Sequence, residues 1–286
     1  MENKSGSTAF GAAAVRLIEQ YEPEDKRLFD DPVIYHLTYP FLRFLLKFKY
    51  VRNYYIRLSE KIMPGIIGGQ ICRTKFIDEK TLSVLNDVEQ ILILGAGLDT
   101  RAYRLNGMAD KIIYEIDLPK VQQYKTQKLT EYFGKLPSIV NYIPIDFNKT
   151  NTETVLNNVS FDYNKKTLVI LEAVTQYITA EAVDEVFRFI SRLSNKSYLL
   201  FTYVLRDVIE RKTEDAKKLM DWSEKKHYPF IFGINPSEIN SFLHKYNLEL
   251  IEDVGTEFYQ EKYLKPLNRN IITLDAERTN FSEISK

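Results

Sequence analysis

The chain predicts an α/β fold: a mostly parallel sheet with an antiparallel C-terminal strand and helices on both faces. Three observations predict it. From residue 90 onward, short apolar runs alternate with helical patterns, which is the signature of a parallel sheet with crossover helices. The first run leads straight into Gly95-Ala96-Gly97. Three later runs end on or just before an acid, Asp117, Asp146 and Glu172.

The elements follow in order. Residues 1–6 read as a disordered tail, and Ser7 or Thr8 is placed to cap a helix running to about Gln20. RLFDDP (27–32) is a break rich in turn residues. Over 41–62, Phe41, Phe44, Leu45, Phe48, Val51 and Tyr55 recur at helical spacing, with Arg43, Lys47 and Arg52 between them. This predicts a packed helix with a solvated basic face, the sharper alternative being a lid over an apolar substrate. ILIL (91–94), IIYEID (112–117), VNYIPID (140–146), TLVILEA (167–173) and SYLLFTYV (197–204) are the five successive strands. Helices are expected over 120–133 and, capped by Thr179, through about Leu193. The stretch 205–235 exceeds a simple connection and is expected to fold as an insertion, after which Pro236 opens a helix to about Tyr246. LELIEDV (248–254) and NIITLDA (270–276) are expected to close the sheet as an antiparallel pair. No linker divides the chain, so 1–286 is expected to be one domain.

Composition bounds the function classes. Apolar residues make up 44% of the 286, enough for a sizeable core. Lys plus Arg (39) equals Asp plus Glu (39), so no global field attracts nucleic acid or an anionic membrane. The single cysteine, Cys72, forbids an internal disulfide and suits a reducing, cytoplasmic compartment. The first residues lack the apolar stretch of a signal peptide, and no run has the length of a membrane span.

The chemistry centres on ILILGAGLDTRAYRL (91–105). Gly95 permits a tight turn and Gly97 a close ligand approach, with backbone N–H groups at a following helix start facing the ligand. The third glycine of a dinucleotide turn is replaced by Thr100, which disfavours a pyrophosphate. Asp117, 20 residues after Gly97, ends the next strand where an acid would accept both hydroxyls of a ribose, a helix cap being the structural alternative. Asp146 could hold an adenine amino group with Phe147 against the ring, and Glu172 is the third acid in register at the same edge.

GAGLDTRAYR (95–104) resembles the signature of the leucine carboxyl methyltransferase family. RLFDDP, CRTKFID (72–78), EIDLP (115–119), LEAVTQYI (171–178), FTYVLR (201–206) and YLKPLNR (263–269) resemble it too, from about Thr8 to Arg269. The resemblance implies a class I methyltransferase fold, Rossmann-like, with an N-terminal helical cap (1–85), a core (86–286) and an insertion after the fifth strand. It implies S-adenosyl-L-methionine as cofactor, with Arg73 on the donor's carboxylate, Gly95 and Gly97 lining the donor, and Asp117, Asp146, Phe147 and Glu172 in the roles above. Arg16 would match a basic donor contact.

The expected activity is an O-methyltransferase acting on a carboxylate of a small-molecule or peptide-like acceptor, with no nucleic-acid or membrane partner. An NAD-dependent oxidoreductase and a non-catalytic donor-binding module are the alternatives. Candidates to orient the acceptor are Tyr203 and Arg206, at the end of the fifth strand, and Tyr177, just past Glu172. Other signals point to structure. Tyr124 and Lys128 make a Tyr-x-x-x-Lys pair on the wrong helix for reductase chemistry. His36, His227 and His244 lack metal-ligand spacing, so no metal site is expected. Trp222 and its aromatic neighbours suit either an acceptor pocket or the packing of the insertion.

Overall fold

The computed structural model describes residues 7–147, 152–157, 159 and 161–286; the expected tail 1–6 lies outside them. Five helices precede the sheet: α1 (Ser7–Glu19), α2 (Ile34–Leu37), α3 (Pro40–Leu46), α4 (Lys49–Ile62) and α5 (Ile66–Val84). The alternating region follows as β1 (Gln90–Leu94), α6 (Arg101–Arg104), β2 (Ile112–Asp117), α7 (Pro119–Phe133), β3 (Val140–Pro144), α8 (Thr152–Leu156), β4 (Thr167–Leu171), α9 (Ala180–Ile190) and β5 (Tyr198–Val204). The chain ends with α10 (Arg206–Ile209), α11 (Glu214–Lys225), α12 (Ile239–His244), β6 (Leu248–Val254), α13 (Thr256–Tyr259) and β7 (Glu277–Ile284).

The seven strands lie in the order β3-β2-β1-β4-β5-β7-β6. β1 to β5 pair in parallel, and β7 runs antiparallel between β5 and β6. QILIL and TLVIL are buried at every position, as central parallel strands covered on both faces must be. The side-chain period of two then splits them between two cores. Leu92, Leu94, Val169 and Leu171 pack with α9 and α12 on one face, and Ile91, Ile93, Leu168 and Ile170 pack with α5 on the other. Thr179 caps α9 as expected, its hydroxyl accepting the Ala182 N–H at 3.2 Å. The order reverses between β1 and β4, which opens a crevice at the carboxyl edge where ligands bind in open α/β sheets.

Two expectations are corrected. The last strand is not 270–276 but Glu277–Ile284. The segment before it lies against the glycines at the start of α5: a Cβ at Gly65, just before the helix, would sit 2.4 Å from the Thr273 carbonyl carbon, and one at Gly68 2.1 Å from the Ile272 oxygen. That backbone is held by close approach to a helix, so it does not join the ladder. β7 is disguised in the sequence because Thr279, Asn280 and Ser282 are polar yet fully buried.

The segment 41–62 is two helices. Phe48 is extended between them, and Arg52 Nη1 donates to the terminal carbonyls of α3, Leu46 at 2.8 Å and Lys47 at 2.9 Å. Only Leu46 on these helices is buried, and Phe41, Phe44 and Phe48 are exposed, so this is not the packed helix expected. The 205–235 insertion does fold, as α10 and α11, the latter capped by Thr213 on the Ala216 N–H. Among the described residues no helix is long and apolar enough to cross a membrane.

Candidate functional site

The turn after β1 is built on left-handed backbone, φ 68° at Gly95 and 49° at Gly97. A Cβ at Gly95 would lie 2.3 Å from Val174 Cγ2, so only glycine fits. At Gly97 the close neighbour is Ala9 of α1, 3.3 Å from the would-be Cβ. α1 therefore closes over the turn. Arg16 reinforces this by donating to the Leu98 carbonyl and, at 3.3 Å, to the Thr100 hydroxyl. The helix expected after the turn is only the four-residue α6.

Asp117 ties the end of β2 to this turn. Its Oδ2 accepts the Gly97 N–H at 2.5 Å and its Oδ1 the Leu118 N–H at 2.6 Å. Burial pushes its pKa up, against the pull of these two N–H groups.

Behind the turn lies a buried charge network. Arg73 Nε donates to Glu172 Oε1 at 2.8 Å, and its Nη1 reaches both oxygens of Glu277 at 2.8 Å. The second Glu172 oxygen accepts from Arg101 at 2.8 Å. Arg101 also pairs with Asp78 and Asp99, and Arg104 forks onto Asp78. Burial alone would raise the Glu172 carboxyl, but the Arg101 and Arg73 guanidiniums outweigh it and hold the group at about 2. Asp99 is likewise held at about 2, its burial outweighed chiefly by Arg101. Asp78 is taken by Arg101 and Arg104, while the protein acids that pair with Arg73 are Glu172 and Glu277.

A cavity of about 840 Å³ lies at the carboxyl edge. Gly95, Gly97, Asp117, Asp146, Phe147, Arg73, Glu172 and Glu277 line it. Its apolar walls include Tyr55, Leu58 and Ile62 of α4, Leu219 and Trp222 of α11, and Tyr177 and Phe230. Tyr177 meets Phe230 edge-on at 5.4 Å. The structure thus brings together on one cavity Arg73, the two glycines, Asp117, Asp146, Phe147, Glu172 and Tyr177, with Arg16 also on its wall.

Two expected residues do not reach it. Tyr203 points the other way because neighbouring residues of a strand alternate faces. Val204 lines the cavity, whereas Tyr203 is fully buried in the core with Phe201, its hydroxyl donating to Asp253 at 3.0 Å. Arg206 turns away at the start of α10 and pairs with Glu238 at 2.8 Å.

The sequence reading also missed residues that line the cavity: Glu277, Gln70, Gln176, Tyr228 and Lys226. Three of them carry buried polar atoms without a partner, namely Gln70 Oε1, Gln176 Oε1 and the Tyr228 hydroxyl. Gln176 was findable beside Tyr177; Glu277 was not, because its strand was misplaced. Trp222, left open from sequence, is on the wall. Cys72 is buried and its thiol pushed up to about 12 by burial, so it is no nucleophile. The Tyr124 hydroxyl donates to the Leu37 carbonyl and Lys128 pairs with Glu131. Among the described residues no group of His, Cys, Asp and Glu side chains is arranged to hold a metal.

A sheet of this order, with a glycine turn after β1 and a cavity at its carboxyl edge, is the class I methyltransferase fold. A solved structure from Thermobifida fusca, described as that of a methyltransferase, matches at a TM-score of 0.61 with 14% identity, over 96% of this chain and 94% of that one. A DUF574-family protein from Streptomyces avermitilis matches at 0.61 with 13% identity, over 95% and 96%. The chain belongs to the leucine carboxyl methyltransferase family, which it matches over residues 9–191. A Mycobacterium tuberculosis protein assigned as an S-adenosyl-L-methionine-dependent methyltransferase is 29% identical over 163 residues, 57% of this chain and 52% of that protein. A protein of the same description from Mycolicibacterium vanbaalenii is 27% identical over 217 residues, 75% and 71%. The chain thus spans about half the length of the mycobacterial relatives it matches first.

Proposed function

We propose that the chain is an S-adenosyl-L-methionine-dependent O-methyltransferase that converts a carboxylate of a small-molecule or peptide-like acceptor to a methyl ester. The donor set fits the cofactor in chemistry, and its members all line one cavity. Asp146 and Phe147 would take the adenine amino group and ring, and Asp117 the ribose hydroxyls. Arg73 would hold the donor's amino-acid carboxylate in place of one of its present carboxylate partners, and Glu172 the ammonium. Arg16 would hold the turn that backs the donor. A dinucleotide fits less well: Thr100 replaces the third glycine, and its hydroxyl is tied to the buried Asp31 at 2.8 Å. The cavity also takes in Leu58, Leu219, Trp222 and Phe230, which the donor set leaves unused. Its volume is near the top of the roughly 300–1,000 Å³ usual for small-molecule sites, which leaves room for an acceptor and argues against a donor-binding module.

One observation carries the choice of a carboxylate. Among the described residues no histidine lines the cavity, and Glu172, one of its acids, is held at about 2 by its arginines. A hydroxyl acceptor needs a general base, whereas a carboxylate is already ionised at neutral pH. The bound donor supplies a methyl on a sulfonium cation. The apolar walls of the cavity favour the charge-neutralising displacement, and Tyr177, Gln70, Gln176 and Tyr228 orient the acceptor. Lys226 at the rim draws in its anion. The test is the product formed with labelled donor. A methyl ester releases volatile methanol in mild alkali; label that survives alkali on a cognate acceptor would mean a hydroxyl acceptor.

A further inference from the structure

The total charge of the chain is zero, but α3 and α4 depart from it sharply. Between Pro40 and Ile62 there are six cations, Arg43, Lys47, Lys49, Arg52, Arg57 and Lys61, against one acid, Glu60. Glu60 is spent on the backbone N–H groups of Gly65 and Ile67. Among the cations are unusually exposed apolar side chains: Phe41 is 74% exposed, Phe44 56%, Phe48 51% and Tyr50 90%. Phe41 and Phe44 are neighbours on α3, Phe48 follows in the turn between α3 and α4, and Tyr50, Tyr54 and Leu58 follow helical spacing on α4. Phe44 and Phe48 already touch, edge-on at 5.5 Å.

We propose that this face docks the protein on an anionic lipid surface. Aromatic and aliphatic side chains interleaved with Lys and Arg are what an interfacial helix presents: the rings enter the headgroup region while the cations meet lipid charge. A second copy of the chain is a poor occupant, because the same basic face would meet itself across a two-fold axis and repel. The position of the face adds a second argument. Leu58 is 46% exposed and also lines the cavity, with Tyr55 and Ile62 of the same helix beside it. Docking would set the apolar mouth of the cavity against the bilayer. The charges cancel over the whole chain, which hides a membrane partner from the net charge; the attraction is local, and peripheral rather than spanning. This proposal does not rest on methyl transfer.

The experiment is co-sedimentation of the full chain with vesicles of phosphatidylcholine alone and with vesicles that also contain phosphatidylglycerol, at low and high salt. Partitioning is expected to be at least about tenfold stronger on the anionic vesicles and to weaken with salt. Combining Lys47→Gln, Lys49→Gln, Arg57→Gln and Lys61→Gln should abolish the preference for anionic lipid. Combining Phe41→Ser, Phe44→Ser and Phe48→Ser should abolish binding altogether. All these side chains are exposed, so both variants should keep the parent melting temperature. Equal or absent partitioning on the two vesicle types overturns the proposal, as does partitioning that neither variant changes. Retention on single-stranded polynucleotide without vesicle binding, or a dimer that the Phe variant dissociates without vesicle binding, also overturns it.

Discussion

Asp117→Asn probes the donor end of the cavity with the least change in shape. The carboxylate does two jobs in the account: its oxygens hold the N–H groups of Gly97 and Leu118 at 2.5 and 2.6 Å, and it offers its remaining lone pairs to the ribose. An amide keeps one acceptor oxygen and turns an NH2 toward the other N–H, so one backbone bond is lost. The stability cost is about 1–3 kcal/mol for the orphaned donor. It should fall at the low end, because burial already penalises the charged form of Asp117 and the neutral amide escapes that penalty. Hydrogen bonds to a charged group are worth about 1.5–3 kcal/mol. At about 1.4 kcal/mol per tenfold, affinity for S-adenosylhomocysteine should drop by roughly ten- to 150-fold. Calorimetric titration gives the affinity, and urea unfolding of the same preparation gives the stability. Full affinity in a folded Asp117→Asn protein would refute the ribose assignment and leave Asp117 as a tie between two strands.

Arg73→Lys should lose at least about tenfold in S-adenosylhomocysteine affinity, since an ammonium cannot reproduce a guanidinium fork; calorimetry checks it. Arg73→Ala should also cost about 3–5 kcal/mol of stability in urea unfolding, because Glu172 and Glu277 lose the cation they share. Glu172 and Asp99 have folded pKa values near 2, below their ordinary 4.5 and 3.8, so they contribute stability above those values that is lost as pH falls toward 2. Urea midpoints measured through that window should decline, and Glu172→Gln should flatten the decline. Tyr228→Phe should raise the KM for the acceptor while S-adenosylhomocysteine affinity stays at the parent value; steady-state kinetics and calorimetry separate the two.

Most of the sheet was legible because β1, β2, β4 and β5 carry apolar runs whose carboxyl ends are marked by Gly95, Asp117, Glu172 and Arg206. The helix α9 follows from the Thr179 cap, and α7 matches the helix expected over 120–133. β7 was hidden by its buried polar residues, which bond within the sheet region; Ser282, for example, donates to Asn280 at 2.8 Å. The segment before it looked like a strand for its Ile-Ile-Thr run, yet its partner is a glycine-lined helix that no local pattern reveals. At the site, the cofactor-side residues were legible because strand ends share one edge of the sheet. The acceptor side was not. Tyr203 was assigned from nearness to a strand end without counting which face it takes, and Gln70 and Tyr228 reach the cavity from elements far apart in sequence. The arginines of GAGLDTRAYR were visible, but their role in holding Asp78, Asp99 and Glu172 emerges only from the folded network.

The central claim is that the cavity at the carboxyl edge is a methyl-donor site. Calorimetric titration of the full chain with S-adenosylhomocysteine and, separately, with NAD tests it most directly. The account predicts one S-adenosylhomocysteine bound per chain and no heat of binding from NAD. Saturable NAD binding with no response to S-adenosylhomocysteine would contradict it.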